Sequence, residues 1–307
     1  MAAGWSNFIR LWLLAVFVVS ALFIHWRGRA RFGLARALVD YTVLLAPFNV
    51  LLLLFSRVQA RPFAALSSFP ELSPLQANWQ AIRDEAMRLD EAGRIRSATG
   101  YNDLGFNSFF RTGWKRFYLK WYGEDLPSAR AACPFTVALL AQMPSVKGAM
   151  FASLPPGGRL VRHRDPYAGS LRFHLGLATP KAPGCFLEVD GQRYEWRDGE
   201  AVVFDETFIH HAENRTEESR VILFCDVERP LTSRLLTAAN RAFARFVMAA
   251  SVTQNQAGER IGGLNRFFAH AYRWRLRAKA LKATHRRLYY AGKWLLIGAA
   301  VYVLFFF

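Results

Sequence analysis

The chain has 307 residues, 40 of them Lys or Arg against 23 Asp or Glu, for a net charge of +17. That length holds one catalytic domain of ordinary size plus appendages. The three cysteines, Cys133, Cys185 and Cys225, fit no CxxC or zinc spacing; so sparse and odd a set argues against a disulfide scaffold and agrees with a reducing compartment.

From the N-terminus, Leu11 to Ile24 is apolar but for Ser20, and Phe8 to Trp26 has the length of a membrane helix. Arg27, Arg29, Arg31 and Arg36 follow it without a small-residue cleavage site. An uncleaved anchor with its downstream side in the cytoplasm is therefore expected, rather than a signal peptide. Val43 to Phe55 is a second, shorter apolar run containing Pro47 and Asn49; it reads as a re-entrant or interfacial segment, with a full span as the alternative. Leu75, Trp79, Ile82, Ala86 and Leu89 recur at steps of three and four, which predicts an amphipathic helix over Leu75–Leu89. Residues 100–123 interleave aromatics with Arg and Lys. That mixture can bind single-stranded nucleic acid, but a core strand beneath a site is the plainer reading. Leu126 to Gln142 reads as helical.

From Gly148 the hydrophobic period changes to two. Strands are predicted at Ala149–Leu154, Arg159–His163, Ser170–Leu177, Cys185–Val189, Gln192–Trp196, Ala201–Phe204, Ile209–Asn214 and Arg220–Val227, with Pro155 to Gly158 and Asp190-Gly191 as turns. Many short strands without intervening helices predict a mainly β catalytic core, a double-stranded β-helix or jelly roll, with flanking helices and membrane-anchoring helices at both termini. Residues 232–288 are expected to be helical and basic, lying on anionic lipid. Thirteen Lys or Arg meet one acid, Glu259, between Leu231 and Phe307. Tyr289 to Phe307 is apolar apart from Lys293 and reads as a second membrane helix. The expected divisions are an anchor and interfacial segment at 1–58, a catalytic domain at 59–231, a basic surface region at 232–288 and a terminal helix at 289–307.

The chemistry concentrates in two stretches. VRHRDPYAGSLRFHLGL runs from Val161 and FDETFIHHAENRTEESRVILFCDV from Phe204. His163 and Asp165 stand at i and i+2, so on an extended segment they point to one face. A third ligand must come from a distant strand folding back, and His210 is placed to supply it; two imidazoles and a carboxylate make the facial set that binds Fe(II) and leaves positions open. His211 is the competing neighbour, but adjacent strand residues point oppositely, so only one of the pair can reach the metal. Ser170, Arg172 and His174 share strand parity, a polar row that packing does not explain; a solvated edge is the alternative. Arg220 opens a strand and can grip a dicarboxylate in bidentate fashion, or else form a surface ion pair with Glu217 or Glu218.

These residues resemble the aspartyl/asparaginyl β-hydroxylases, Fe(II)- and 2-oxoglutarate-dependent dioxygenases. The likeness covers roughly Met150 to Pro230 and keeps the internal spacing of His163, Arg172, His174, His210 and Arg220. It is greatest to the lipid A-hydroxylating bacterial branch, through GYNDLGFNSFFRTGWKRFYLKWY, RLVRHRDPYAGSLRFHLGLATP and LFCDVERPL. The resemblance implies that His163, Asp165 and His210 hold Fe(II), with His210 rather than His211 as the third ligand. It implies that Arg220 clamps the distal carboxylate of 2-oxoglutarate, that Arg172 and His174 line the same pocket, and that O2 is the oxidant. Peptide-hydroxylating members carry Gly where Asp165 stands, so its ligand role rests on the general dioxygenase pattern. The implied activity is 2-hydroxylation of a secondary acyl chain of lipid A or a lipid A precursor. The implied setting is the cytoplasmic face of the bacterial inner membrane, among anionic lipids, with no nucleic acid and no obligate protein partner. A peptidyl hydroxylase, a cupin-like metal protein that does not turn over 2-oxoglutarate, and a non-enzymatic membrane adaptor are the alternatives.

Overall fold

The computed structural model describes residues 2–37, 40–98 and 101–306. Among the described residues eleven strands form the core: β1 (Phe63–Ala64), β2 (Lys115–Trp121), β3 (Glu124–Asp125), β4 (Val146–Leu154), β5 (Arg159–His163), β6 (Ser170–Ala178), β7 (Cys185–Val189), β8 (Gln192–Glu195), β9 (Ala201–Phe204), β10 (His210–Asn214) and β11 (Arg220–Glu228). They make two antiparallel sheets, one in the order β1-β9-β6-β11-β4-β2-β3 and one in the order β5-β10-β7-β8. From β4 onward the chain alternates between the sheets except at the β7–β8 hairpin, which is the winding of a double-stranded β-helix. The predicted jelly roll is thus the observed core, with strand ends within three residues of expectation.

Central strands β4, β6 and β11 are buried on both faces. One face looks across at the smaller sheet. Behind β6 lies the helix Trp79–Glu91, which buries Ile82, Ala86 and Leu89. The β7–β8 hairpin turns on Asp190 and Gly191, with φ of 52° and 82°. Positive φ at both central residues is the tight two-residue turn that matches strand twist, and glycine adopts it without a Cβ penalty.

Several predicted helices are shorter than their apolar pattern. The helix expected over Leu75–Leu89 breaks at Asn78, whose side-chain amide donates to Pro74 O at 2.8 Å. The one expected over Leu126–Gln142 breaks at Cys133 because Pro134, lacking an N–H, starts a new helix, Pro134–Ala141. Of the aromatic stretch 100–123, only Lys115–Trp121 is a strand of the main sheet. Gly100 lies outside the described residues, and Tyr101 to Trp114 folds into turns ended by Gly113 at φ 95°.

The region 232–288 is interrupted between Ser251 and Gly262. There the Asn255 side chain takes the place of a strand partner: Oδ1 accepts from Tyr118 N and Nδ2 donates to Tyr118 O, both at 2.8 Å. Glu259, the single acid of the basic tail, accepts from Ser128 N, Asn255 N and Gln256 N.

Among the described residues one helix, Phe8–Trp26, is long and apolar enough to cross a membrane. Val43 to Phe55 contributes a helix of nine residues, Ala46–Leu54, about 13 Å long, well short of the hydrocarbon thickness. At the C-terminus Arg286–Phe306 is helical, and Phe307 lies outside the described residues.

The helix Pro134–Ala141 is capped from a distance. Buried Glu85 accepts from Phe135 N, Thr136 N and Thr136 Oγ1 at 2.6–3.0 Å. Glu85→Ala orphans these donors and is expected to destabilise the fold by about 1–3 kcal/mol, read as a lowered unfolding midpoint in detergent solution.

Candidate active site

Antiparallel pairing of β5 with β10 sets His163 opposite His210, with ring centroids 4.2 Å apart. Asp165 lies two residues beyond the end of β5, its N–H donating to Glu206 O at 2.9 Å. Ligand atoms of His163, Asp165 and His210 all fall within 4.8 Å of one another, close enough to hold one metal ion. His211 turns the other way, its Nδ1 3.8 Å from Glu188 Oε1.

The imidazoles are already oriented. Nδ1 of His163 lies 2.7 Å from Val161 O, and Nδ1 of His210 lies 3.0 Å from Phe208 O. A carbonyl only accepts, so each Nδ1 carries the proton and each Nε2 presents its lone pair to the centre. Burial pushes the His163 ring below its ordinary value and the His210 ring down to about 3. Both are therefore neutral at physiological pH, the state that metal coordination requires. Burial raises the Asp165 carboxyl, but the charge and hydrogen bond of Arg172 outweigh it and hold the group below the ordinary range.

Two buried arginines sit deeper, with opposite surroundings. Arg172 contacts Asp165, Asp226 and Glu206, the last at 2.5 Å. Its guanidinium lies 4.1 Å over the Phe224 ring. It lines the cavity, but its donors are already taken up by carboxylates. Burial pushes Glu206 well up and raises Asp226 as well.

Arg220 is 2% exposed, and its Nε and Nη2 find no protein acceptor. The guanidinium stands 4.4 Å over the Trp196 ring, away from Glu217 and Glu218, and burial lowers its pKa to about 10. His174, also buried, has neither ring nitrogen bonded. It packs between Phe204 and Phe224 at 5.0 and 5.2 Å. Burial, then the charge of Arg220, pushes its pKa well down.

An interior cation without a counter-charge costs several kcal/mol. The orphaned donors of Arg220 and the open nitrogens of His174 therefore describe a candidate anion site beside His163, Asp165 and His210. The donors of Arg220 are free to take a carboxylate. The opposite wall is aromatic: Phe109 lies 4.7 Å from the His163 ring, and Phe106 stacks on Trp114 at 4.7 Å. The segment bearing these rings is tied down by the Arg116–Asp103 pair at 3.0 Å and by Leu104 N donating to Asn265 Oδ1 at 2.7 Å.

Glu206 and Asp226 escaped the sequence reading. Strand parity does carry a signal for Asp226, because 220, 222, 224 and 226 share one face of β11. Glu206 lies in a turn and gives no periodic signal.

The profile of the family described as Aspartyl/Asparaginyl beta-hydroxylase matches residues 76–230. An ornithine lipid ester-linked acyl 2-hydroxylase of Rhizobium tropici is 33% identical over 185 residues, covering 58% of this chain and 64% of that one. The human aspartyl/asparaginyl beta-hydroxylase is 28% identical over 162 residues, covering 51% of this chain and 21% of that one. The chain thus spans less than two thirds of the length of either relative. A solved prolyl-4-hydroxylase of Pseudomonas putida aligns over 50% of this chain and 88% of its own, with TM-score 0.35 and 20% identity.

The two neighbouring histidines separate the possible ligand sets. Under anaerobic Fe(II) titration, His210→Ala is expected to lose stoichiometric binding while His211→Ala keeps it; the reverse result would assign the third ligand to His211.

Proposed function

Because the chain belongs to the aspartyl/asparaginyl β-hydroxylase family, we propose that it is an Fe(II)- and 2-oxoglutarate-dependent dioxygenase that hydroxylates a fatty acyl chain of a membrane lipid. Lipid A or a lipid A precursor is the proposed substrate, and carbon 2 of an acyl chain the proposed position. The observation that carries this reading is the buried pair of Arg220 and His174 beneath His163, Asp165 and His210, with donors that no protein group satisfies.

His163, Asp165 and His210 would hold the iron, and Arg220 the far carboxylate of 2-oxoglutarate. Together with O2 these supply the oxidising equivalents, one oxygen atom entering succinate as CO2 is lost and the other entering the C–H bond. Arg172 fixes the Asp165 carboxylate against the site while Asp226 and Glu206 hold Arg172 from behind. Phe106, Phe109 and Trp114 form an apolar wall suited to a hydrocarbon chain and exclude water from it. Neutral His174 supports the deep end of the pocket without adding a charge.

The name of the Rhizobium relative describes 2-hydroxylation of an ester-linked acyl chain on an ornithine lipid. That name favours an acyl chain as the target and makes ornithine lipid the second candidate. Helix Phe8–Trp26 is followed by Arg29 and Arg31, both exposed, so the catalytic body is proposed on the cytoplasmic side of the inner membrane.

The test is succinate formation by purified full-length protein supplied separately with lipid A, ornithine lipid and an Asp/Asn-containing peptide. Lipid A-dependent turnover with a 2-hydroxyacyl product in the mass spectrum supports the reading. Coupling to the peptide alone would overturn it in favour of a peptidyl hydroxylase. Arg220→Ala is expected to raise the KM for 2-oxoglutarate roughly ten- to a hundredfold, the worth of about 1.5–3 kcal/mol for a charge-assisted contact, while iron affinity changes little.

A further inference from the structure

The short apolar helix Ala46–Leu54 has two unlike faces. Its inner face buries Ala46, Asn49 and Leu52. Leu52 packs with Tyr167, Ala168 and Leu231 in a small core separate from the main one. Asn49 grips the loop that carries Asp165: Nδ2 donates to Pro166 O at 2.8 Å and Oδ1 accepts from Ala168 N at 2.9 Å. The outer face leaves Leu44, Leu51, Leu54 and Phe55 at 69%, 44%, 65% and 43% exposure. From Tyr41 to Ser56 the sequence has no charged residue.

What covers that outer face follows from the neighbouring helix. Phe8–Trp26 is 19 residues long, about 28 Å at ~1.5 Å per residue, the span of a hydrocarbon layer. It packs against Ala46–Leu54, and its buried residues, Ser20 and Ile24, lie only in the half nearest Arg27, while Leu11 to Val16 stand exposed. Ser20 is about 9 Å of helix from Trp26 at ~1.5 Å per residue. A partner docked there shares the depth of one leaflet. The polar bonds made by that end of the first helix also lead to the site. Arg164, between His163 and Asp165, donates to Ile24 O at 2.9 Å and pairs with Asp40 at 3.2 Å.

We propose that the helix Ala46–Leu54 is embedded in the leaflet nearest the catalytic body, with Leu51 and Leu54 among acyl chains, and that through Asn49 it holds the Asp165 loop at the membrane surface. This rests on the membrane-lipid reading above and adds the depth of the site. The buried amide of Asn49 is then no burden in lipid, because both its polar atoms are satisfied by the loop.

The three native cysteines are buried, so single cysteines introduced at the exposed positions Leu13, Leu51, Leu54 and Arg61 can be spin-labelled selectively. The full chain is reconstituted in phosphatidylethanolamine–phosphatidylglycerol vesicles, and collision with dissolved O2 is compared with collision with a water-soluble nickel chelate. Labels at 51 and 54 are expected to follow the label at 13, favouring O2 several-fold, while the label at 61 favours the chelate. Preference for the chelate at either 51 or 54, with 13 still in lipid, overturns this inference alone. Preference for the chelate at 13 overturns the membrane reading and this inference with it.

Discussion

His163 faces His210 because β10 returns antiparallel between β5 and β7, with a one-residue shift in its pairing with β5 between His210 and Ala212. A slip of one residue would turn His211 inward and send His210 to the opposite face. The register is pinned at the far end of β10 by Asn214. This buried side chain donates to Leu154 O at 2.8 Å and Glu218 O at 2.7 Å, and accepts from Thr216 N at 3.1 Å. Its backbone exchanges bonds with Gly157 and Gly158 across the Pro-Gly turn. A turn-forming asparagine thus anchors the end of β10 four residues from a candidate ligand, and the shift between His210 and Ala212 then sets His210 opposite His163.

The strand that follows supplies the contrast on which the chemistry depends. Arg172 and Arg220 are both buried cations, yet one is surrounded by acids and the other by none. Around Arg172, three carboxylates gather on one guanidinium, which fixes the carboxylate of Asp165 in place. Arg220 instead meets the face of Trp196 and keeps donors open. Preorganised donors aimed at a ligand position in a dry cavity are worth far more there than in water. The fold carries the energetic cost of burying Arg220, and a bound dicarboxylate would relieve it.

The N-terminal segment belongs to the catalytic body. Arg27 pairs with Asp205 at 2.6 Å and lies 3.9 Å over the Phe208 ring, and Arg229 reaches Asp205 from the other side at 3.0 Å. Arg29 N and Ala30 N both donate to Asp190 Oδ1 at 2.7 Å. Burial raises Asp205, but the two guanidiniums outweigh it and hold the carboxyl far below its usual range. Arg27 therefore serves the turn leading into His210, where a reading by charge pattern alone assigns it to membrane topology.

The sequence by itself determined the jelly roll and, from β4 onward, nearly every strand limit, and it nominated His163, Asp165, His210, Arg172, His174 and Arg220 as candidates. A period of two, turn residues and the i, i+2 rule are local physics, written in neighbouring residues. What only the tertiary structure decided is how the charges are shared. No pattern along the chain foretells that Arg172 is saturated and Arg220 is not, that Glu206 stands behind the site, or that Asn49 and Arg164 tie the Asp165 loop to the N-terminal helices. Apart from Arg172–Asp165, those contacts join residues 34 to 140 positions apart, and at that separation only the folded topology sets which side chains meet and which of them water leaves behind.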